Sequence, residues 1–221
     1  MIKIIISDEM KQACPNVVLG CIQAKVNVGK SDDKLVSALC ERVGSVKQAW
    51  VLDDVASIAE IKASREAYKK LGKSPSRYRV SSEALFRRIL SDKSLYFVNN
   101  VVDINNVISL KSRHSVGSYN IQNIEGDITF SVAEDGAEYQ GIGKGTLNIE
   151  KLPTLKDDRG YFGSPTSDSQ RAMVSEDVQE IIMCIYGFAG SEGMEATIEY
   201  AVDMLREHAD AKDIETEMIF A

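Results

Sequence analysis

Asn99-Asn-Val-Val-Asp-Ile-Asn-Asn106 and, further on, Tyr119-Asn-Ile-Gln-Asn-Ile-Glu-Gly126 are the stretches that decide how this chain is read. The first mixes amides and a carboxylate with apolar residues at helical spacing. The second opens a region of strands. Asp103 is placed to cap a short helix over 103–110, and the amides of Asn99 and Asn106 can each donate and accept. From the residues alone, this is a polar network that fixes a helix against a sheet.

Upstream, residues 2–7 alternate as a strand, with Ile2, Ile4 and Ile6 on one face, and 16–26 reads as a second, mostly buried strand. A helix is expected from Ser31 to about Val43, capped by Ser31 or Asp32, with Leu35, Leu39 and Val43 recurring every four residues. Another is expected from about Asp54 to Leu71, where Gly72 supplies the stop. Pro75 predicts an extended crossing through Ser76 to Val80. The next helix starts at Ser81 or Ser82, with Leu85, Phe86, Ile89 and Leu90 packing inward and Arg87 and Arg88 turned to solvent or a ligand.

Downstream of Gly117 the pattern changes to strands. Ile128, Phe130 and Val132 alternate, as do Leu147 and Ile149, with turns at Glu-Asp-Gly and Asp-Asp-Arg-Gly. Gly141-Ile-Gly-Lys-Gly145 lacks both the ending and the strand–loop–helix setting of a phosphate loop, so a hairpin turn is expected there. Ile181 to Phe188 suits a central strand. Met194, Ile198, Val202 and Leu205 define a helix, and Ile214 to Phe220 alternates as a strand. Helices first, then strands, then a helix–strand pair give an α+β domain.

Composition narrows the function. The 221 residues are 44% hydrophobic and 27% charged, which excludes disordered and collagen-like classes. No apolar run approaches the roughly 18 residues of a membrane span, and the N-terminus turns polar too early for a secretory signal. A cytoplasmic protein without a membrane partner is expected. The four cysteines form no C-x-x-C pair and read as free thiols, and two histidines far apart give no metal site. No cofactor is expected. Net charge is −7, yet from Lys62 to Lys93 ten basic residues meet only Glu66, Glu83 and Asp92. That local excess suits a phosphate ligand or two solvated helix faces. The loop Ser164-Pro-Thr-Ser-Asp-Ser-Gln-Arg171 offers hydroxyls, a carboxylate and a guanidinium, as a ligand loop or a solvated turn would.

The ordered series N-x-V-V-D-I-x-N, the aromatic Tyr119 with a polar residue after it, and Ile-Glu-Gly before a strand resembles the B-three/B-four editing module of the phenylalanyl-tRNA synthetase beta subunit. Arg65-x-x-Tyr68-x-x-x-Gly72 and Pro75-Ser-Arg-Tyr-Arg-Val-Ser-Ser-Glu-Ala-Leu-Phe-Arg-Arg88 resemble the free-standing members of that domain family. The resemblance is close from about Arg65 to Val132 and weaker to Phe188. It leaves no room for the synthetase's other modules. It therefore implies one free-standing domain over 1–221, with the motifs in about 56–190 and a central sheet flanked by helices.

The resemblance implies hydrolysis of mischarged tRNA, with a buried glutamate recognising the tyrosine hydroxyl and a histidine near the scissile ester. At those places this sequence carries Cys184 and Gly117, so neither residue is carried over and the catalytic residues stay open. Pocket walls are expected from Asn99, Asn106, Tyr119, Glu125, Ser169 and Arg171, with Arg171 and Ser169 facing Asn106. Arg77, Arg79, Arg87 and Arg88 are the expected RNA contacts. Three functions fit: a stand-alone tRNA-editing factor, a tRNA-binding or synthetase-associated module without chemistry, and a pocket protein for an amino acid or related metabolite.

Overall fold

The computed structural model describes residues 1–221. Strand β1 (Ile4–Ile6) buries Ile4 and Ile6 and exposes Ile5. Ser7 caps α1 (Asp8–Ala13) by accepting from the Met10 N–H. After β2 (Val18–Lys25), Asp32 caps α2 (Asp33–Ala49) through the Leu35 N–H. This helix passes Val43 because Val46, one turn further along the stripe, is buried and outweighs the weak helix former Gly44.

The helix expected over 54–71 is two pieces. A 3₁₀ turn, Leu52–Ser57, is tied by the Ser57 hydroxyl to the Asp54 carbonyl, and α3 (Ala59–Lys70) follows. Gly72, at φ +82°, ends it. The stretch after Pro75 is a tight turn and not an extended crossing, since the N–H groups of Arg77 and Tyr78 both bond the Ser74 carbonyl. Proline's fixed φ suits the second position of such a turn. Next come α4 (Ser81–Leu90) and α5 (Asn100–Ser112).

Helix α5 begins earlier than the sequence suggests, because its cap is Asn99 and not Asp103. Asn99 Oδ1 accepts from the Val102 N–H at 2.9 Å. Asp103 lies one turn inside, fully buried, and accepts from the Ser31 hydroxyl at 2.6 Å and the Val98 N–H at 3.2 Å. It ties the approach to α2 to the start of α5.

The strands that follow are β3 (Ser115–Asn120), β4 (Ile128–Val132), β5 (Glu138–Gly141), β6 (Gly145–Asn148), β7 (Pro153–Asp157), β8 (Gly160–Gly163) and β9 (Glu180–Gly187). Helix α6 (Met194–Ala209) and strand β10 (Lys212–Phe220) complete the order. One sheet runs β10-β2-β9-β3, antiparallel throughout. A second runs β1-β4-β7-β8, with β1 parallel to β4. The glycine-rich turn joins β5 to β6 as a hairpin.

Three layers result. Val18, Ile22, Ile181, Met183 and Ile185 face α2, α5 and α6, while Leu19, Cys21, Ile182, Cys184 and Tyr186 face the second sheet. Strand β9 is buried on both faces, which is why its sequence is continuously apolar instead of alternating. The architecture is α+β. Cys14, Cys21 and Cys184 are buried free thiols, and Cys40 is exposed. No helix is long and apolar enough to cross a membrane.

Candidate functional site

A cleft of about 480 Å³ opens beside α5, walled by α4, β3 and the segment around 173–176. Helical spacing puts Val102, Asn105, Asn106 and Ser109 on one stripe of α5, so each faces the cleft. From β3 come Val116 and Ser118, the residues that alternate with Gly117 and Tyr119. Leu85, Val98, Ile142 and Met173 add apolar surface.

Much of the polar lining is unused by the protein. Ser118 donates to Asn105 Oδ1 at 2.9 Å, which orients that amide and leaves its Nδ2 free. The Asn106 amide and Ser109 hydroxyl also stand without protein partners, although Asn105 and Ser109 are both buried. Asp168 lines the same cleft. Its Oδ1 accepts from the Tyr119 hydroxyl at 2.8 Å and from the Ser164 N–H at 3.1 Å, and its Oδ2 has no protein partner. Burial pushes the Asp168 carboxyl up to about 6, against the pull of the Tyr119 hydrogen bond.

The B3/4 domain family model matches residues 63–210. This chain belongs to the B3/4 domain family. Among solved structures it is similar to the crystal structure of an N-terminal fragment of the phenylalanyl-tRNA synthetase beta-subunit from Pyrococcus horikoshii, at 12% identity and a TM-score of 0.46. The match covers 98% of this B3/4 chain and 50% of that one, so the chain spans about half the fragment's length. No curated protein matches.

Of the six expected pocket residues, Asn99 and Asn106 line the cleft of this B3/4 domain. Asn99 is also structural, since its Nδ2 donates to the Val174 carbonyl at 3.1 Å. Tyr119 is buried on the opposite face of β3 and meets the cleft only through Asp168. Glu125 is exposed outside the cleft, and its N–H donates to Asp157 Oδ2 at 2.9 Å. Ser169 is buried beside Asp168 but does not line the cleft, and its hydroxyl has no partner.

Arg171 does not face Asn106. The 3₁₀ turn Gln170–Ala172 carries it towards the β7–β8 hairpin. There its fork grips Asp157 at 2.8 and 2.9 Å and donates to the carbonyls of Asn123 and Gly160. Asp157 is wholly enclosed as a side chain, and the guanidinium is its counter-charge. Burial pushes the Asp157 carboxyl up, but the Arg171 hydrogen bonds and those from the Glu125 and Arg159 N–H groups outweigh it, so the net shift is down.

Gly117 and Cys184 are cross-strand partners on the face between the sheets. That volume is filled. The Tyr119 ring packs edge-on against Phe162 at 5.1 Å, and its hydroxyl bonds that of Tyr186 at 2.6 Å. A Cβ at Gly117 or Gly163 would overlap Tyr119, so a histidine at 117 has no room. Cys184 lies opposite Cys21 of β2 in the same closed layer.

The basic segment is also partly committed. Glu83 is completely buried and holds Arg65 and Arg87, each at 2.8 Å, with Arg79 at 3.9 Å. Arg87 therefore points to a buried carboxylate and not to solvent. Arg88 donates to the Ser94 carbonyl at 2.6 Å and lies 4.3 Å over the Tyr96 ring. Of the four expected RNA contacts, Arg77 and Arg79 are the exposed ones. Sequence reasoning overlooked Asn105, Ser109, Ser118 and the cleft role of Asp168. The polar residues at 105, 106 and 109, a helical turn apart, were the available signal for the first two.

Proposed function

We propose that this B3/4 domain binds the aminoacyl end of a tRNA in the cleft beside α5 and hydrolyses the ester of a misacylated tRNA. One observation carries the proposal: the free amides of Asn105 and Asn106 and the Ser109 hydroxyl converge on a cleft large enough for a small organic ligand. Amide N–H groups suit an ester carbonyl and the oxyanion that develops from it. Hydrolysis then needs a positioned water and no strong nucleophile. Membership of the B3/4 family and the exposed Arg77 and Arg79 support an RNA partner.

The test is a deacylation screen over a panel of misacylated tRNAs, with binding recorded in the same tubes. Release of amino acid from at least one member is expected. Replacing Arg77 and Arg79 with Gln should weaken binding and flatten its salt dependence by about 0.7–0.9 per lost phosphate contact. A protein that binds free amino acid but no tRNA would overturn the proposal. That outcome belongs to a metabolite pocket, which the net charge of −7 and the commitment of Arg87 to Glu83 favour.

A further inference from the structure

We infer that Asp168 is the general base of an ester-hydrolysing centre in this cleft, taking the proton of the water that attacks the acyl carbon; the inference rests on the function proposed above. Both oxygens of this carboxylate are differentiated by the fold. Tyr186 donates to Tyr119, Tyr119 donates to Oδ1, and the Ser164 N–H holds the same oxygen from the other chain segment. Oδ2 is left without a protein partner in a residue that lines the cleft. A carboxylate held through one oxygen and free at the other can orient a water and accept its proton.

The step balances. Water oxygen bonds the acyl carbon while one water proton passes to Oδ2, and the carbonyl oxygen takes up negative charge against the amides of Asn105 and Asn106. As the tetrahedral centre collapses, the ester C–O bond breaks and the proton returns from Oδ2 to the departing ribose oxygen. Free amino acid and a tRNA hydroxyl result, with Asp168 restored.

Groups facing Asp168 from each neighbouring element leave it to titrate alone near neutrality. Tyr119 of β3 and Tyr139 of β5 are buried, as are Tyr186 and Cys184 of β9, and burial pushes the first three up; a hydrogen bond with Cys21 and burial raise the fourth. Lys144 in the β5–β6 turn donates to the Ser167 hydroxyl and lowers the carboxyl, while Glu176 lines the cleft from an exposed position. A group that titrates at about 6 is ionised yet still basic at neutral pH, which suits a general base.

The experiment compares wild type with Asp168→Asn on the misacylated tRNA panel, alongside binding of an amide-linked, non-hydrolysable aminoacyl-tRNA. We expect kcat to fall by about 10²–10⁴-fold with analogue binding unchanged. Wild-type kcat should rise with pH and level off above about 6, and the variant should lose that limb. Should Asp168→Asn fail to fold, Tyr119→Phe carries the test: losing a donor to Oδ1 should move the midpoint to higher pH. An active wild type with an equally active Asp168→Asn, or an unmoved midpoint in Tyr119→Phe, overturns the base assignment and leaves the deacylase reading standing. A wild type that binds the analogue but hydrolyses no member of the panel overturns both.

Discussion

Position 117 has no room for a side chain, because the Tyr119 hydroxyl occupies the space a Cβ would take and Gly163 confines the same ring from the other side. Gly117→Ala should therefore destabilise the protein by about 1–3 kcal/mol, as overpacking of a filled core does. In a chain of this length that is a fall in Tm of roughly 2–4 °C per kcal/mol. Gly117→His should fold worse still and gain no activity. Arg171 makes a different residue-scale case. Lysine keeps the charge but not the fork, so Arg171→Lys should cost about 1–3 kcal/mol from lost charge-assisted hydrogen bonds. The partner's titration adds a pH signature. The Asp157 carboxyl in the folded protein lies below its ordinary 3.8. Its contribution is complete above that value and is lost as pH falls through the folded one. Asp168 has the opposite sign: an acid raised to about 6 by folding makes the native state gain stability as pH falls from 6 towards 4. Urea midpoints across pH 3–7 should thus peak between these limits. Asp168→Asn should flatten the upper flank, and Arg171→Lys the lower.

Elements α3 and α4 are joined by an ionic centre. Glu83 on α4 gathers Arg65 from α3 and Arg87 one turn along its own helix. Glu83→Gln would leave those guanidiniums without their carboxylate, and loss of one partner from a buried pair typically costs about 3–5 kcal/mol. Thermal melts and a loosened α3–α4 region in hydrogen exchange would register it; an unchanged Tm would refute the role. The same element illustrates what could be read beforehand. That a helix runs from Ser81 was legible, because its apolar residues recur at helical spacing. That Arg87 turns inward was not, since only the fold places a buried glutamate under it. Strands over 16–26 and 181–188 were legible from continuous apolar runs, whereas the tight turn after Pro75 depends on which carbonyl two N–H groups find. The α5 cap was misplaced because Asn99 and Asp103 both satisfy a capping rule, and the Val102 N–H, which bonds the Asn99 side chain, decides between them. In the site, Asn106 was legible, while the partner of Arg171 was fixed by the distant β7–β8 hairpin.

At the scale of the whole molecule, three layers share one central sheet, and β10 covers the open edge of β2 from Val18 to Lys25. Deleting residues 212–220 should leave that apolar strand unpaired along one side and promote self-association. Light scattering that reports the same mass at every protein concentration would count against this. The order of the sheet carries a further consequence, one of time. Strand β2 leaves the ribosome well before the partner it needs inside the sheet, from Glu180 to Gly187, which follows about 155 residues later. At elongation rates of about 5–20 residues per second, the segment Val18–Ala24 waits roughly eight to thirty seconds for its neighbour. Strand β1 likewise waits for Ile128–Phe130. During synthesis β1 and β2 are therefore the strands exposed for longest, and the yield in the cell should rise with chaperones that shield a nascent chain.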